Sequence, residues 1–274
     1  MTINEIIINL ADELVGNETA RLEVKMLIKH ILNIDEINLV LKYNDKMDEE
    51  SYEKLIGLHK RLKDGEPVQY IINKKEFMGL GFYVDENVLI PRADTEVLVE
   101  RILEDEKNDN KVLDMCSGSG CVGISLKKYN SQLEVTCADI SDKAIKIGKS
   151  NSVSNEVDVK FIESDLFINI DEKFDIIVSN PPYIKYSEYI ELENKVLDHE
   201  PKLALYADEN GLYFYNEISK QAKEYLNEGG RLYFEIGYNQ AEEVKNIMKK
   251  NSFYNIIVER DLKGKDRVIY GTLK

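Results

Sequence analysis

Between residues 111 and 236 the chain alternates short apolar runs with longer amphipathic ones, and this constrains the fold more than any other feature. Lys111–Met115, Leu133–Ala138, Val157–Ile162, Phe174–Ser179 and Arg231–Ile236 are β-branched or apolar, and helical stretches near 121–129, 141–153, 211–227 and 239–250 separate most of them. Near-continuous apolar strands alternating with helices build a parallel sheet covered on both faces. Tyr254–Val258 and Arg267–Gly271 are close enough in sequence to form an antiparallel hairpin at its edge. The expected fold class is therefore α/β and doubly wound.

The preceding residues read differently. Ile3, Ile6, Ile7, Leu10, Ala11 and Leu14 recur at helical spacing, and Gly16-Asn17 closes the segment. Further helices are expected over about 18–32, 35–41 and 48–62, giving a small N-terminal helical bundle domain over residues 1–64 that packs and recruits. Val68–Ile72 and Gly81–Val84 alternate like strands around Gly79 and Gly81, which predicts a β-hairpin linker over 65–90. Pro91-Arg92 then opens a helix, and the main domain spans 91–274. A length of 274 residues suits this division.

Charge and composition narrow the partners. The chain carries 51 acidic and 36 basic residues, a net charge of −15, whereas a protein that grips nucleic acid by its phosphates needs a basic face. No direct nucleic-acid binding is expected. No apolar stretch approaches the roughly 20 residues needed to span a bilayer, and no secretory signal is visible, so a cytoplasmic protein is expected. Cys116, Cys121 and Cys137 are too few for a disulfide framework and read as small buried residues. None of His30, His59 and His199 pairs with a cysteine at metal-ligand spacing, so no metal is expected.

The first strand of the alternating region runs into a glycine loop, Asp114-Met115-Cys116-Ser117-Gly118-Ser119-Gly120-Cys121-Val122-Gly123. Gly118 and Gly120 permit a tight turn and close approach of a ligand. Asp139, ending the next strand, can accept hydrogen bonds from both hydroxyls of a ribose. Gly118-x-Gly120-x-x-Gly123 also satisfies the dinucleotide fingerprint, so a nicotinamide oxidoreductase is a rival. Against it, Asp114 at the strand's tip is expected to face the ligand, repelling a pyrophosphate and welcoming an ammonium and a sulfonium. A plain strand-to-helix turn is the blander alternative.

The strand Phe174–Ser179 leads into Asn180-Pro181-Pro182-Tyr183, the most informative tetrapeptide in the chain. Pro182 restricts Pro181 to an extended conformation, so the Pro181 carbonyl points in one fixed direction. The Asn180 side chain adds a second acceptor, and Tyr183 a flat aromatic face. Two acceptors beside a stacking surface suit a planar NH₂ group whose nitrogen is a poor nucleophile. Accepting both N–H groups stabilises the positive charge that develops as the nitrogen attacks. If this strand lies beside the first one, the turn and the glycine loop share one crevice. The pattern points to N-methylation of an amide or amine.

With these residues in hand, the sequence resembles the PrmC/HemK family, the peptide chain release factor N5-glutamine methyltransferases, nearly end to end. The resemblance is carried by Thr19-Ala20-Arg21-Leu22-Glu23, Glu66–Ile71, Glu76-Phe77-Met78-Gly79, Leu89–Glu96, the glycine loop with Asp139, Ser164–Phe167, Asn180–Ile184, Glu200-Pro201, Gly211-Leu212, Gly229-Gly230, Glu235-Ile236-Gly237 with Gln240, and Asp261–Arg267. It implies a Rossmann-like class I methyltransferase sheet using S-adenosylmethionine. It further implies that Cys116, Ser117, Gly118, Ser119, Gly120, Asp139, Leu166 and Asn180, with Asp114 and Asp165 beside them, contact this cofactor. Asn180 through Tyr183 would hold the glutamine of the Gly-Gly-Gln tip of class-I release factors. The enzyme is expected to act as a monomer. Arg92 either positions the substrate loop or the cofactor carboxylate, or pairs with Asp94 or Glu96 as a brace.

Three departures stand out. Cys116 replaces the usual glycine of the loop, Leu166 stands where tryptophan is common, and Ala93 replaces a proline after Arg92. The rival substrates are a ribosomal-protein glutamine and a DNA adenine, the latter opposed by the acidic charge. A binding module without chemistry leaves the intact cofactor loop unexplained.

Overall fold

The structure, a computed structural model, describes residues 1–105, 110–192 and 194–274. The chain divides into two compact units, Met1–Lys74 and Lys75–Lys274.

The first unit is all helical: α1 (Ile3–Asp12), α2 (Ala20–Leu32), α3 (Glu36–Leu41), α4 (Glu49–Lys63) and α5 (Val68–Ile71). Polar residues ahead of three of these helices satisfy the free amides of the first turn. Thr2 and Glu5 form a reciprocal capping box on α1, while Asp35 and Asp48 accept from Asn38 N and Ser51 N. The apolar stripes converge on Ile6, Leu10, Val24, Leu27, Ile28 and Leu55, all buried. His59 is buried among them, with Nε2 2.9 Å from the Leu10 carbonyl oxygen.

Residues 68–72 correct the expected strand, since they form the short helix α5. Pro67 (φ −57°) supplies its entry, and Val68 and Ile71, three apart, turn the same way into the bundle core. The hairpin itself exists but begins later: β1 (Lys75–Phe77) pairs antiparallel with β2 (Leu80–Phe82). Met78 (φ 50°) and Gly79 (φ 68°) form a two-residue turn with both φ values positive, the twist that suits a hairpin. Phe77 and Phe82 pack edge to face with centroids 6.1 Å apart, and both are buried in the core.

The second unit is built on a seven-stranded sheet. In chain order its elements are α6 (Glu96–Asp105), β3 (Lys111–Met115), α7 (Cys121–Tyr129), β4 (Glu134–Asp139), α8 (Asp142–Ser154), β5 (Lys160–Glu163) and β6 (Phe174–Ser179). Short helices α9 (Tyr186–Tyr189), α10 (Asn194–His199) and α11 (Asp208–Gly211) follow, then α12 (Tyr213–Tyr225), β7 (Leu226–Glu235), α13 (Ala241–Lys250), β8 (Phe253–Arg260) and β9 (Asp266–Leu273). The strand order is β5-β4-β3-β6-β7-β9-β8, parallel except for β9, which runs antiparallel between β7 and β8. The expected doubly wound sheet with its antiparallel hairpin is present.

Two apolar cores cover the two faces, one around Leu113, Met115, Tyr215 and Phe234, the other around Val112, Val122, Cys137 and Tyr233. Their alternation along β3 and β7 is the two-residue period of a strand read on both sides. Among the described residues no helix is long and apolar enough to cross a membrane.

Candidate active site

The winding of the sheet reverses between β3 and β6, and ligands of such sheets bind outside the strand ends at that point. The two strands are in register there, with Met115 opposite Ser179, and Ser179 Oγ donates to the Met115 carbonyl at 2.7 Å. Cys116 and Asn180 therefore leave adjacent strand ends side by side, the juxtaposition expected of the glycine loop and the Asn-Pro-Pro-Tyr turn.

A cavity of about 320 Å³ opens at this place. Cys116, Gly118, Asp139, Asp165, Leu166, Asn180 and Pro182 line it, as do Ile140, ahead of α8, and Ala144 in its first turn. Its lining is mainly apolar with a few convergent polar groups, as in sites for organic ligands.

Asp139 is its most constrained polar group. The Gly118 N–H donates to Oδ2 at 2.8 Å and the Ser141 N–H to Oδ1 at 2.9 Å. Burial pushes the Asp139 carboxyl up while these amides pull it back. Each oxygen retains a lone pair that a hydroxyl can use.

The loop between Asp114 and Asp139 is tightly packed. Gly118 (φ 53°) and Gly120 (φ 78°) both adopt the left-handed region, and a Cβ on Gly120 would sit 3.0 Å from Ile124 Cδ1. Cys116 has φ 63° and Leu166 φ 47°, so two of the sites that depart from the family pattern are side chains held in a conformation that favours glycine. Burial raises the Cys116 thiol well above its usual range and the Cys121 thiol to about 12, which makes them inert.

Several residues expected at the cofactor lie outside the lining of this cavity. Asp114 does not line the cavity: it is 1% exposed and accepts from the Gly123 N–H at 2.9 Å. Strand alternation puts Asp114 on the same face as Val112, under α7, and its carboxyl is pushed up to about 7 by burial. Its charge therefore faces the helix, and the expected repulsion of a pyrophosphate has no basis here. Ser117, Ser119 and Gly120 also lie outside the lining; Ser117 and Ser119 are buried, and Asn151 Nδ2 donates to the Ser119 carbonyl at 3.0 Å.

Of the tetrapeptide, Asn180 and Pro182 reach the cavity while Pro181 and Tyr183 do not line it. The Tyr183 carbonyl accepts from Gln240 Nε2 at 3.1 Å, and Gly211 passes so close that a Cβ there would lie 2.2 Å from that oxygen. The turn is thus clamped from behind. Asn180 Nδ2 lies 3.3 Å from the hydroxyl of Thr95.

Arg92 pairs with neither Asp94 nor Glu96. It donates to both oxygens of the buried Glu200, at 2.6 and 2.8 Å, which ties the start of α6 to the loop after Tyr183. Asp94 instead meets Arg267 at 3.0 Å, and Glu96 accepts from Met78 N at 2.7 Å.

Sequence reasoning missed the walls formed by Leu203, Tyr213 and Phe214 and by the segment Glu86–Leu89. The adjacent aromatics Tyr213 and Phe214 after Gly211-Leu212 were the available signal. Leu203 carries none, because its place depends on how the loop after Tyr183 folds back.

The chain compares closely with known proteins. Residues 92–199 match the methyltransferase small domain family, and residues 5–72 match the PrmC N-terminal domain family. The release factor glutamine methyltransferase of Clostridium acetobutylicum is 41% identical over 252 residues, covering 89% of this chain and 88% of its own. That of Lactococcus lactis is 39% identical, covering 90% and 92%. Among solved structures, a methyltransferase from Pyrococcus furiosus superposes with a TM-score of 0.57 at 14% identity, covering 72% of this chain and 91% of its own, which shows the shared fold. With relatives at this identity along almost its whole length, the chain belongs to the release factor glutamine methyltransferase family.

Proposed function

We propose that this enzyme transfers the methyl group of S-adenosylmethionine to the side-chain amide nitrogen (N5) of the glutamine in the Gly-Gly-Gln motif of class-I peptide chain release factors, modulating translation termination. The observation that carries this reading is the pairing of β3 with β6, which brings Asn180 and the glycine loop to one cavity.

The cavity suits the cofactor. Asp139, held by two backbone amides, offers acceptors to ribose hydroxyls, and Ile140, Leu166 and Phe214 offer apolar walls to a base. Gly118 faces open space, so its backbone can be approached closely. In this reading Cys116, Gly118, Asp139, Asp165, Leu166 and Asn180 hold the cofactor, while Asp114, Ser117, Ser119 and Gly120 shape the loop from behind. Bound there, S-adenosylmethionine supplies an electrophilic methyl on a sulfonium and leaves as S-adenosylhomocysteine.

Asn180 Oδ1 and the Pro181 carbonyl accept the two N–H groups of the glutamine amide and aim its nitrogen at the methyl. As that nitrogen becomes cationic, both acceptors bind its hydrogens more strongly, which favours the transition state over the ground state. The surplus proton is then acidic and passes to solvent, so the site needs no strong base. Pro182 fixes the direction of the Pro181 carbonyl. Tyr183, clamped through its carbonyl, holds the turn at its far end, and Arg92 orders the substrate side of the site through Glu200. The helical unit recruits the release factor, and the enzyme works as a cytoplasmic monomer that needs neither metal nor nucleic acid.

The test is mass spectrometry of a class-I release factor, a ribosomal protein fraction and duplex DNA after incubation with S-adenosylmethionine. A single methyl on the Gly-Gly-Gln glutamine, absent with Asn180→Ala, is expected. Methylation of DNA or of another protein in its place would overturn the substrate.

A further inference from the structure

Asn151, on the face of α8 that meets the hairpin, is fully buried and lines no part of the cavity. Its side-chain oxygen accepts from the Tyr83 N–H at 2.7 Å, and its Nδ2 donates to the Tyr83 carbonyl and to the Ser119 carbonyl, each at 3.0 Å. One helical turn on, at the end of α8, Asn155 Nδ2 donates to the Gly81 carbonyl at 3.0 Å. The spacings match, since one such step along a helix rises about 6 Å and the step from Gly81 to Tyr83 along a strand about 6.6 Å. The two asparagines thus hold β2 and the residue after it against α8, but only Asn151 also reaches the glycine loop.

We propose that Asn151 is a positioning residue that locks the peptide between Ser119 and Gly120 and ties it to Tyr83, so that the glycine loop and the Glu86–Leu89 wall hold the cofactor as one piece. The inference rests on the methyl-transfer reading above and deepens it. Rotating that peptide plane changes φ of Gly120, and glycine accepts either sign, so the backbone itself does not choose between the two orientations. Two hydrogen bonds choose for it. Asn151 takes the Ser119 carbonyl, and the Ser117 carbonyl accepts the Gly120 N–H at 2.8 Å, closing a turn in which Gly118 (φ 53°) is the first central residue. A rotated peptide would leave its own carbonyl and one N–H of Asn151 unpaired in a buried place. It would also open the turn that keeps the Gly118 N–H on Asp139.

The side chain suits the task. Tyr83 presents a donor and an acceptor and Ser119 an acceptor, so a single group must supply one oxygen and two N–H bonds. A primary amide does this; a carboxylate of the same size brings no donor, and an apolar side chain brings neither. The cavity wall begins at Glu86, shortly after Tyr83, and Val84 between them is fully buried. The clip therefore fixes two parts of the cavity lining, Gly118 and Glu86–Leu89, relative to each other. A cofactor that touches both binds the clipped form better than the open one.

Two measurements on the full chain test this. The first is calorimetric titration of the wild type, Asn151→Ala and Asn155→Ala with S-adenosylmethionine, beside their Tm values. Both variants should melt lower, since each loses buried hydrogen bonds to the hairpin. Asn151→Ala alone should bind the cofactor at least about tenfold more weakly, with kcat at saturating cofactor within about threefold of the wild type. A folded Asn151→Ala that binds as tightly as the wild type, or an Asn155→Ala weakened as much, would overturn the positioning role. The second measurement uses the wild type and needs no variant to fold. It follows solvent exchange of the Asn151 and Asn155 side-chain NH₂ groups by nitrogen-edited NMR, assigned through their contacts with Ser119 and Gly81. Saturating S-adenosylmethionine should slow exchange at Asn151 by at least about fivefold more than at Asn155. An equal change at both would contradict the proposal while leaving the methyl-transfer reading intact. Failure of the wild type to bind S-adenosylmethionine at all would overturn that reading, and this proposal with it.

Discussion

Gly123 offers a direct test of how the glycine loop is held. It lies in the first turn of α7, where alanine would ordinarily stabilise a helix by about 1 kcal/mol. A Cβ at this position would meet Cys137 Sγ at 2.4 Å, Val135 Cγ1 at 3.1 Å and Asp114 Oδ2 at 3.2 Å. The first of these lies more than about 1 Å inside an ordinary van der Waals contact. The Cys137 sulfur ends a short side chain that is fully buried on β4, so it has little room to swing away. Overpacking of this kind costs about 1–3 kcal/mol, and moving α7 outward also stretches the bond from Gly123 N to Asp114, worth about 1 kcal/mol. Set against the helix gain, Gly123→Ala should be less stable by about 1–2 kcal/mol, a drop of about 2–8 °C in Tm for a unit of this size. Adding Cys137→Ala removes the sulfur and should recover at least half of that loss, a coupling of about 1 kcal/mol between touching sites. Differential scanning calorimetry of the single and double variants measures both quantities. A Gly123→Ala protein as stable as the wild type, or a double variant with no recovery, would refute the packing argument.

The other predictions concern the cavity and its buried acids. Asn180→Ala should lower methyl transfer by about 10²–10³ with most cofactor affinity retained, whereas Asp139→Ala should mainly weaken the cofactor, by about tenfold or more. Calorimetric titration with S-adenosylmethionine beside a methyl-transfer assay separates them, and equal loss of binding in both would end that division of labour. Cys116→Gly should relieve about 1 kcal/mol of left-handed backbone strain, so its Tm should not fall below the wild type; a lower Tm would show that the thiol's packing outweighs the strain. Glu235, pushed up to about 7 by burial, holds its proton in the folded chain at pH values where the unfolded chain has lost it. Its contribution is therefore full below the ordinary glutamate range and is lost as pH rises towards about 7, amounting to about 3 kcal/mol. Glu235→Gln should flatten that part of a denaturation-against-pH curve, and an unchanged slope would contradict the assignment.

The strands and helices of the larger unit were legible because each obeys its own period: β3 and β6 are mostly apolar and β-branched, and α8 and α13 carry one apolar stripe. The tetrapeptide was legible because two prolines leave little freedom. Residues 68–72 were not, since Val-Gln-Tyr-Ile-Ile satisfies strand alternation as well as helical spacing, and burial in the bundle decided for the helix. Asp114 was misread for a related reason. Its place at a strand tip suggested a ligand contact, but the face it points to depends on the pleat, and that face belongs to α7. Arg92 and Glu200, 108 residues apart in the chain, meet through tertiary folding that no local pattern encodes. Thr95 and Glu235 were visible only as members of the family resemblance, without a reason for being there.

The position of β9 inside the sheet governs the order in which the chain can be assembled during synthesis. A strand made after β8 must slot between β8 and β7, so the emerging polypeptide passes through a stage in which both carry unpaired backbone edges. Such edges recruit other chains, and apolar ones do so fastest. A nascent chain halted between Arg260 and Asp266 would hold two such edges open, with Leu232 and Phe234 exposed beside one of them. Insertion of the strand from Asp266 to Leu273 pairs both facing edges in one event, leaving only β5 and β8 as the borders of the sheet.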